Sequence, residues 1–376
     1  MTIYVYMFLI IAILAVKEVI FYREDSYFSA LNGRLKFKFP IVYYVLGVVL
    51  YVILANRKFT GTDTYVYYRI FHFTSLQNDV EKGFTFLIHI VQQENGDFFQ
   101  FEKLVAFLTL IPIFFVIYKV SPYPIYSLLI FFSTGSYFGM FNTMRQGLAI
   151  GLTFTAMSLL LFFKSKSHVK IVVALVLIFL AMYFHTTAIL VSVILFIILF
   201  VRRCLNKNKN TIWFLCLLIV SSFFLKIDIL QVVFNIASKL PIGSFSEKYV
   251  SLYGDSAYLS SSTSTVLLIN FILIFGLFLI SFSKLGKNNI TTTVTAVLGI
   301  YLILLSTRNG AQLYVRITYY VDILLVLIFP IMLNEELKER KYLFLTIFIQ
   351  ISYIVFNFIR MIVLNYNGIL PYGIVF

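Results

Sequence analysis

Charge is what this 376-residue sequence has least of: Asp, Glu, Lys and Arg together make up 12% of it, against 61% hydrophobic residues. A soluble chain needs about 25% charged residues to cover its surface, so a soluble fold is excluded. Cysteine is nearly absent. Cys204 and Cys216 have neither metal-ligand nor redox spacing and read as packing residues. The four histidines, His72, His89, His168 and His185, form no paired pattern, and neither Asp-x-Asp nor His-Glu-x-x-His occurs. No metal site or cofactor is therefore expected. A Walker loop and a dinucleotide fingerprint are missing too, which argues against ATP-driven transport by this chain alone. The stretches rich in Gly, Pro and Ser are short and no internal repeat is visible, so neither an appended soluble domain nor the repeat architecture of many transporters is expected.

What is present is a succession of apolar runs of about 17 to 25 residues, long enough to cross a bilayer as helices. The alternating segments of about ten residues that mark a membrane β-barrel do not occur. The sequence predicts an all-α, polytopic membrane protein forming a single transmembrane domain over residues 1–376. About 12 spans are expected, at 2–22, 39–55, 99–119, 125–141, 144–163, 169–185, 187–201, 211–226, 264–283, 290–307, 315–333 and 341–360. Met1–Val16 lacks a basic start and a small-residue cleavage site, so it reads as a retained first span. Residues 83–93 are too short to cross and predict an interfacial or re-entrant helix.

The net charge of +14 would suggest nucleic acid in a soluble protein. Here the basic residues sit mostly in short loops between spans, where they set topology, and no nucleic-acid partner is expected. One set of loops and span ends holds about 17 basic residues and the other about 12, which puts the first set in the cytoplasm and both termini outside. The outer face then carries the two longest loops, about 56–98 and 227–263. It also carries Arg57, Arg69, Arg145, Arg308 and Arg316, against the positive-inside tendency. Basic residues on the disfavoured side need another reason, and binding an anion is the obvious one.

Four clusters gather on that face. The first runs from Gly61 through Asp63, Tyr65, Tyr67, Tyr68 and Arg69 to Glu81-Lys82-Gly83-Phe84. The second is Asn142-Thr-Met-Arg145-Gln146, opening a span, and the third is Phe184-His185-Thr186-Thr187 at a hairpin. The fourth joins Arg308-Asn-Gly to Arg316 and Tyr320, the last two separated by one helical turn. Arg145 is the most informative residue. It stands at a helix N-terminus, where the dipole and free N–H groups already favour an anion, and its guanidinium adds a fork of donors suited to phosphate. Two further arginines and a tyrosine in the fourth cluster can clamp a pyrophosphate without metal. Asp63 and Glu81 are bases or ion partners for the arginines, and each is equally explained as a solvated loop acid. His185 is a base, a donor to phosphate, or a capped turn residue. The outer tyrosines either stack on sugar faces or form an interfacial aromatic belt.

Taken in order, Asp63 with its tyrosines, Glu81-x-Gly83-Phe84, Asn142-x-x-Arg145-Gln146, Phe184-His185-Thr186 and Arg316 with Tyr320 resemble the EpsG family of Wzy-type polysaccharide polymerases. The likeness is strongest over about residues 60–190 and weaker around 305–320. Such patterns often have Ser after the His and Pro between Glu and Gly, where this chain has Thr186 and Lys82. The resemblance implies a fold like that of the membrane glycosyltransferase C superfamily, located in the bacterial inner (plasma) membrane with its active site facing the periplasm or exterior. It implies an enzyme that joins oligosaccharide repeat units carried on undecaprenyl pyrophosphate, building a capsular or O-antigen (lipopolysaccharide) polymer, with a separate chain-length regulator as a further partner. On that basis Arg145, His185, Asp63 and Glu81 are the expected catalytic residues. Arg308, Arg316, Tyr320, Gln146, Asn142 and Arg69 are the expected substrate-binding residues. An O-antigen ligase shares this chemistry and stays open as an alternative. A flippase for lipid-linked sugars is a second alternative, less favoured because the charges cluster at one face.

Overall fold

A computed structural model of the chain describes residues 1–21, 40–163, 168–208, 210–225, 265–306, 312–365 and 367–373. The expected outer loop 227–263 and Arg308 lie outside these residues. Among the described residues all regular structure is helical. The reason is the solvent: a backbone in hydrocarbon must satisfy its own hydrogen bonds, and a helix does so within one segment. Eight helical stretches are long and apolar enough to cross a membrane, and four further apolar helices are shorter. Each of the twelve overlaps one of the apolar runs read from the sequence, but the runs 125–141 and 315–333 are each divided between two helices.

The described residues form two compact units. The first comprises Met1–Leu195 with Ile323–Phe376, and the second comprises Phe196–Asp322. In the first unit lie α1 (Thr2–Phe21), α2 (Pro40–Ala55), α3 (Thr64–His72), α4 (Thr74–Gln77), α5 (Lys82–Gln93) and α6 (Phe98–Val120). They are followed by α7 (Pro124–Ser133), α8 (Ser136–Gly139), α9 (Met144–Leu161) and α10 (His168–Phe184). A 3-10 turn, Thr186–Ala188, leads into α11 (Ile189–Lys207), which crosses the border between the units. The second unit continues with α12 (Thr211–Leu225), α13 (Thr265–Ser283), α14 (Asn289–Ser306) and α15 (Gln312–Asp322). The chain then returns to the first unit as α16 (Leu325–Glu339) and α17 (Leu343–Val363).

Two expectations change in the first unit. The run 125–141 is not one helix. Gly135 takes φ 91°, in the left-handed region, and divides it into α7 and the single turn α8. Every residue of α7 is buried, packed among α1, α16 and α17, so its irregular exit meets protein and not lipid. Its N-terminus is capped across the fold: the Glu18 carboxylate, buried near the end of α1, accepts from the Ile125 and Tyr126 N–H groups at 3.2 and 3.0 Å. That satisfies two of the helix's orphan donors.

The stretch 56–98, expected as a loop, is folded into α3, α4 and α5. The short helix expected at 83–93 is α5, and its apolar face is buried in protein. Phe84, Leu87, Ile88 and Val91 of α5 pack with Tyr67, Ile70 and Phe71 of α3, Phe98, Phe101 and Val105 of α6, and Met144 and Leu148 of α9. Burying so many large side chains, at about 1.5–3 kcal/mol each, is what folds a polar-rich segment too short to span. The Asp97–Gln100 capping box fixes where α6 begins.

Within the second unit, α12, α13 and α14 are joined by small polar contacts suited to apolar surroundings. Ser222 meets Ser306 at 2.8 Å, Ser281 meets Thr295 at 2.6 Å, and Gly299 admits the Leu215 side chain against the α14 backbone.

Candidate functional site

Glu81 sits at the N-cap of α5, but its carboxylate makes no capping bond. It reaches across to two other elements. Oε2 accepts from Arg145 Nη1 at 2.6 Å, while Oε1 pairs with His185 Nδ1 at 3.0 Å and accepts from the Thr186 N–H at 3.3 Å. Arg145 is the second residue of α9, and His185 is an extended residue between α10 and the 3-10 turn. Residues 64 and 104 positions away from Glu81 thus meet on one carboxylate.

Gly83 is what lets α5 come this close. A Cβ there would stand 2.6 Å from the Tyr183 carbonyl oxygen and ring at the end of α10, a distance no side chain tolerates. The spacing Glu81-x-Gly83 is therefore geometric: glycine seats the first turn of α5 against α10, and Glu81 then faces His185. Tyr67, buried on α3, supports Arg145 from a further side through a side-chain hydrogen bond. Four elements each contribute one polar side chain.

The cluster is sheltered yet open to a ligand, with side-chain exposures of 13% for Glu81, 10% for His185 and 26% for Arg145. Burial alone would push the Glu81 carboxyl up. The hydrogen bond from His185 and the charge of Arg145 outweigh it and hold the pKa at about 2. Glu81 is thus ionised at neutral pH and acts as acceptor. As an acceptor it fits the tautomer with the proton on His185 Nδ1, which leaves Nε2 as the ring's other pole. Nε2, and Nε of Arg145, are buried without a hydrogen-bond partner among the described residues. Both point to a site completed by something bound.

Other expected site residues are placed differently. Asn142 uses both ends of its amide within the protein: Oδ1 accepts from the Thr62 N–H at 2.7 Å and Nδ2 donates to the Asn367 carbonyl at 2.8 Å. It ties the entrance of α9 to the Gly61 turn (φ 107°) and to the C-terminal segment. A Cβ on Gly61 would meet that same amide oxygen at 2.5 Å. Gln146 is buried beside Arg145 in sequence. Asp63, half-buried at the N-cap of α3, accepts from the Thr62 hydroxyl at 3.0 Å. Arg69 is exposed in the last turn of α3. Arg316 and Tyr320 lie one turn apart on α15, in the second unit, with Arg316 half-buried and Tyr320 buried.

Sequence reasoning missed a second arginine–glutamate pair. Arg57, just past α2, is 3.4 Å from Glu102 of α6, with side-chain exposures of 2% and 0%. Its Nη1 donates to the Leu54 carbonyl at 2.6 Å, and its guanidinium lies over the Phe141 ring. An acid inside an apolar run such as 99–119 is itself a signal, since ionisable groups in spans are costly. Also missed was the strap formed by residues 367–373. It bonds Lys58 N–H to the Gly373 carbonyl at 2.8 Å, Gly61 N–H to the Gly368 carbonyl at 3.0 Å and the Tyr4 hydroxyl to the Ile369 carbonyl at 3.4 Å.

Helices of membrane-crossing length around a sheltered Arg–Glu–His cluster define the class: a polytopic helical membrane protein with a built polar site at one end of a helix bundle. The chain belongs to the EpsG family, a family of Wzy-like polymerases, which matches it over residues 40–374. At that general level it is a polysaccharide-polymerase-like membrane protein. No curated protein and no solved structure matches it.

Proposed function

We propose that the chain joins oligosaccharide repeat units carried on undecaprenyl pyrophosphate, at the external (periplasmic) face of the bacterial inner membrane. Family membership supports the polymerase class. The observation that carries the residue assignment is the Glu81 carboxylate bridging Arg145 and His185. In this reading the growing chain is the glycosyl donor. A hydroxyl of the incoming unit attacks its anomeric carbon, and the C–O bond to pyrophosphate breaks with its electron pair on the leaving oxygen. Arg145, at the positive end of α9, stabilises that developing charge. His185 takes the hydroxyl proton at Nε2, the nitrogen left over when Nδ1 is held by Glu81. Glu81 orients both partners. A carboxyl held near pKa 2 is too weak a base to deprotonate a sugar hydroxyl. Asp63 and Arg69 are proposed as contacts to the saccharide, and Arg308, Arg316 and Tyr320, by the resemblance alone, as further substrate-binding residues.

The test is the size distribution of surface polysaccharide in the source bacterium after deletion of the gene, complemented by wild type, Arg145→Ala or His185→Gln at matched protein level. Polymerase function predicts collapse to single repeat units, reversed by wild type alone. Full-length polymer left on undecaprenyl pyrophosphate means a ligase, and single units trapped on the inner leaflet mean a flippase. An unchanged ladder overturns the proposal.

A further inference from the structure

The surface of the first unit carries an apolar groove of about 540 Å3 between α2 and α6, lined by none of the polar cluster's residues. Its floor is Gly47, where a side chain would stand against the Phe114 ring. Its walls include Val48, Phe107, Ile111 and Phe115. Along α6 it runs from Phe107 to Tyr118, which at 1.5 Å per residue is about 17 Å. That is close to half of the ~30 Å hydrocarbon core, the depth of a single leaflet.

The two ends differ in chemistry. At the C-terminal end of α6, Tyr44 and Tyr118 meet through their hydroxyls. Lys119 turns its ammonium back over the groove rim, 5.9 Å from the Phe115 ring and 5.8 Å from the Tyr118 ring. The tyrosine on the other side, Tyr43, buries its hydroxyl on the Phe114 carbonyl at 2.7 Å, so that side stays apolar. An apolar slot one leaflet deep, ending in hydroxyls and one cation at the helix end, complements a chain with an anionic head. We propose that this groove retains a membrane phospholipid with an anionic headgroup, one acyl chain lying between α2 and α6 and the phosphate at Lys119. The tail of a lipid-linked saccharide fits less well: a pyrophosphate at Arg145 would sit at the N-terminal end of α6, beside Phe98 and Phe101, not at Lys119.

The proposal is independent of the enzymatic reading and needs no activity assay. The full chain is reconstituted in nanodiscs of equal phosphatidylglycerol and phosphatidylethanolamine, then extracted in mild detergent, and its bound lipids are measured by mass spectrometry. Phosphatidylglycerol is expected to be enriched about fivefold over the supplied ratio, the factor for one basic side chain at an anionic headgroup. Lys119→Gln removes the preference, and Gly47→Leu, which fills the floor, removes the bound lipid itself. Gel-filtration profile and helical circular dichroism report whether either variant is folded. Should Gly47→Leu fail to fold, Val48→Trp occludes the same slot from its exposed wall. Retention of both phospholipids in the supplied ratio, or an undiminished preference in Lys119→Gln, overturns the proposal. So does finding, in protein from the native membrane, a polyprenyl phosphate that the groove-filling variant loses.

Discussion

Two arginine–glutamate pairs stand at the same end of the first unit and are built on opposite plans. In the Arg145–Glu81 pair the ions are 2.6 Å apart, and the carboxylate also engages His185 and the Thr186 N–H. In the Arg57–Glu102 pair the separation is 3.4 Å, and neither Glu102 oxygen has a hydrogen bond among the described residues. The first pair keeps a quarter of its arginine exposed; the second has no access to solvent at all. A buried pair held by charge alone contributes little net stability, because desolvation offsets the attraction, yet removing one partner leaves an uncompensated ion. The richly bonded, partly open pair has its geometry fixed and its arginine available. The difference teaches that charge inside a membrane bundle is not by itself a sign of chemistry. A carboxylate that gathers partners from several elements while its arginine stays partly exposed is the better sign.

The sharpest way to break this comparison is to remove each arginine in turn. Arg57→Ala should cost about 3–5 kcal/mol of stability, read as a large loss of thermal resistance in detergent and of protein level in membranes. Replacing Arg57 and Glu102 together by Met should recover most of that loss. Arg145→Ala should cost less stability than Arg57→Ala, because Glu81 keeps the His185 ring and the Thr186 N–H, while reducing polymer formation by about 10²–10³, the usual cost of one transition-state donor. If both variants failed in the same assay, the two plans would not be distinct.

Gly83→Ala should do less, costing about 1–3 kcal/mol as α5 is pushed from Tyr183. Its polymer output should fall further than its stability, because Glu81 moves away from His185. The Glu81 carboxyl adds a pH arm. Its pKa is lowered on folding, so its contribution to stability is complete above about pH 4.5 and is lost as pH falls through about 2. An acid titration of Glu81→Gln should lack that component of the wild-type loss. The smallest effect is expected at Arg69→Ala: at an exposed position, stability should shift within about 0.5 kcal/mol, and any effect should appear only in saccharide affinity.

Much of the fold was legible because bilayer physics writes helices as apolar runs, and the short amphipathic α5 was visible by its length. The interruption at Gly135 was not singled out, although Thr134-Gly135-Ser136 inside the run carries a breaker signal. At the site, Arg145 could be singled out alone, as a cation opening a span. Its convergence with Glu81 and His185 could not, because no local spacing links residues 64 and 104 positions apart. Only the resemblance placed them in one set. Asn142 shows the reverse difficulty. Its position beside Arg145 suggested a ligand contact, whereas both ends of its amide are taken up in tying the α9 entrance to distant chain.

That tie has a bearing on how the protein is made. Asn142 is secured by a carbonyl 225 residues downstream, and the Gly61 turn by another in the same strap. At about 5–20 residues per second, the ribosome needs on the order of tens of seconds to supply the fastening. Throughout that interval the α9 entrance lacks its last restraint, so a nascent copy in the insertion machinery has its spans before it has a finished site.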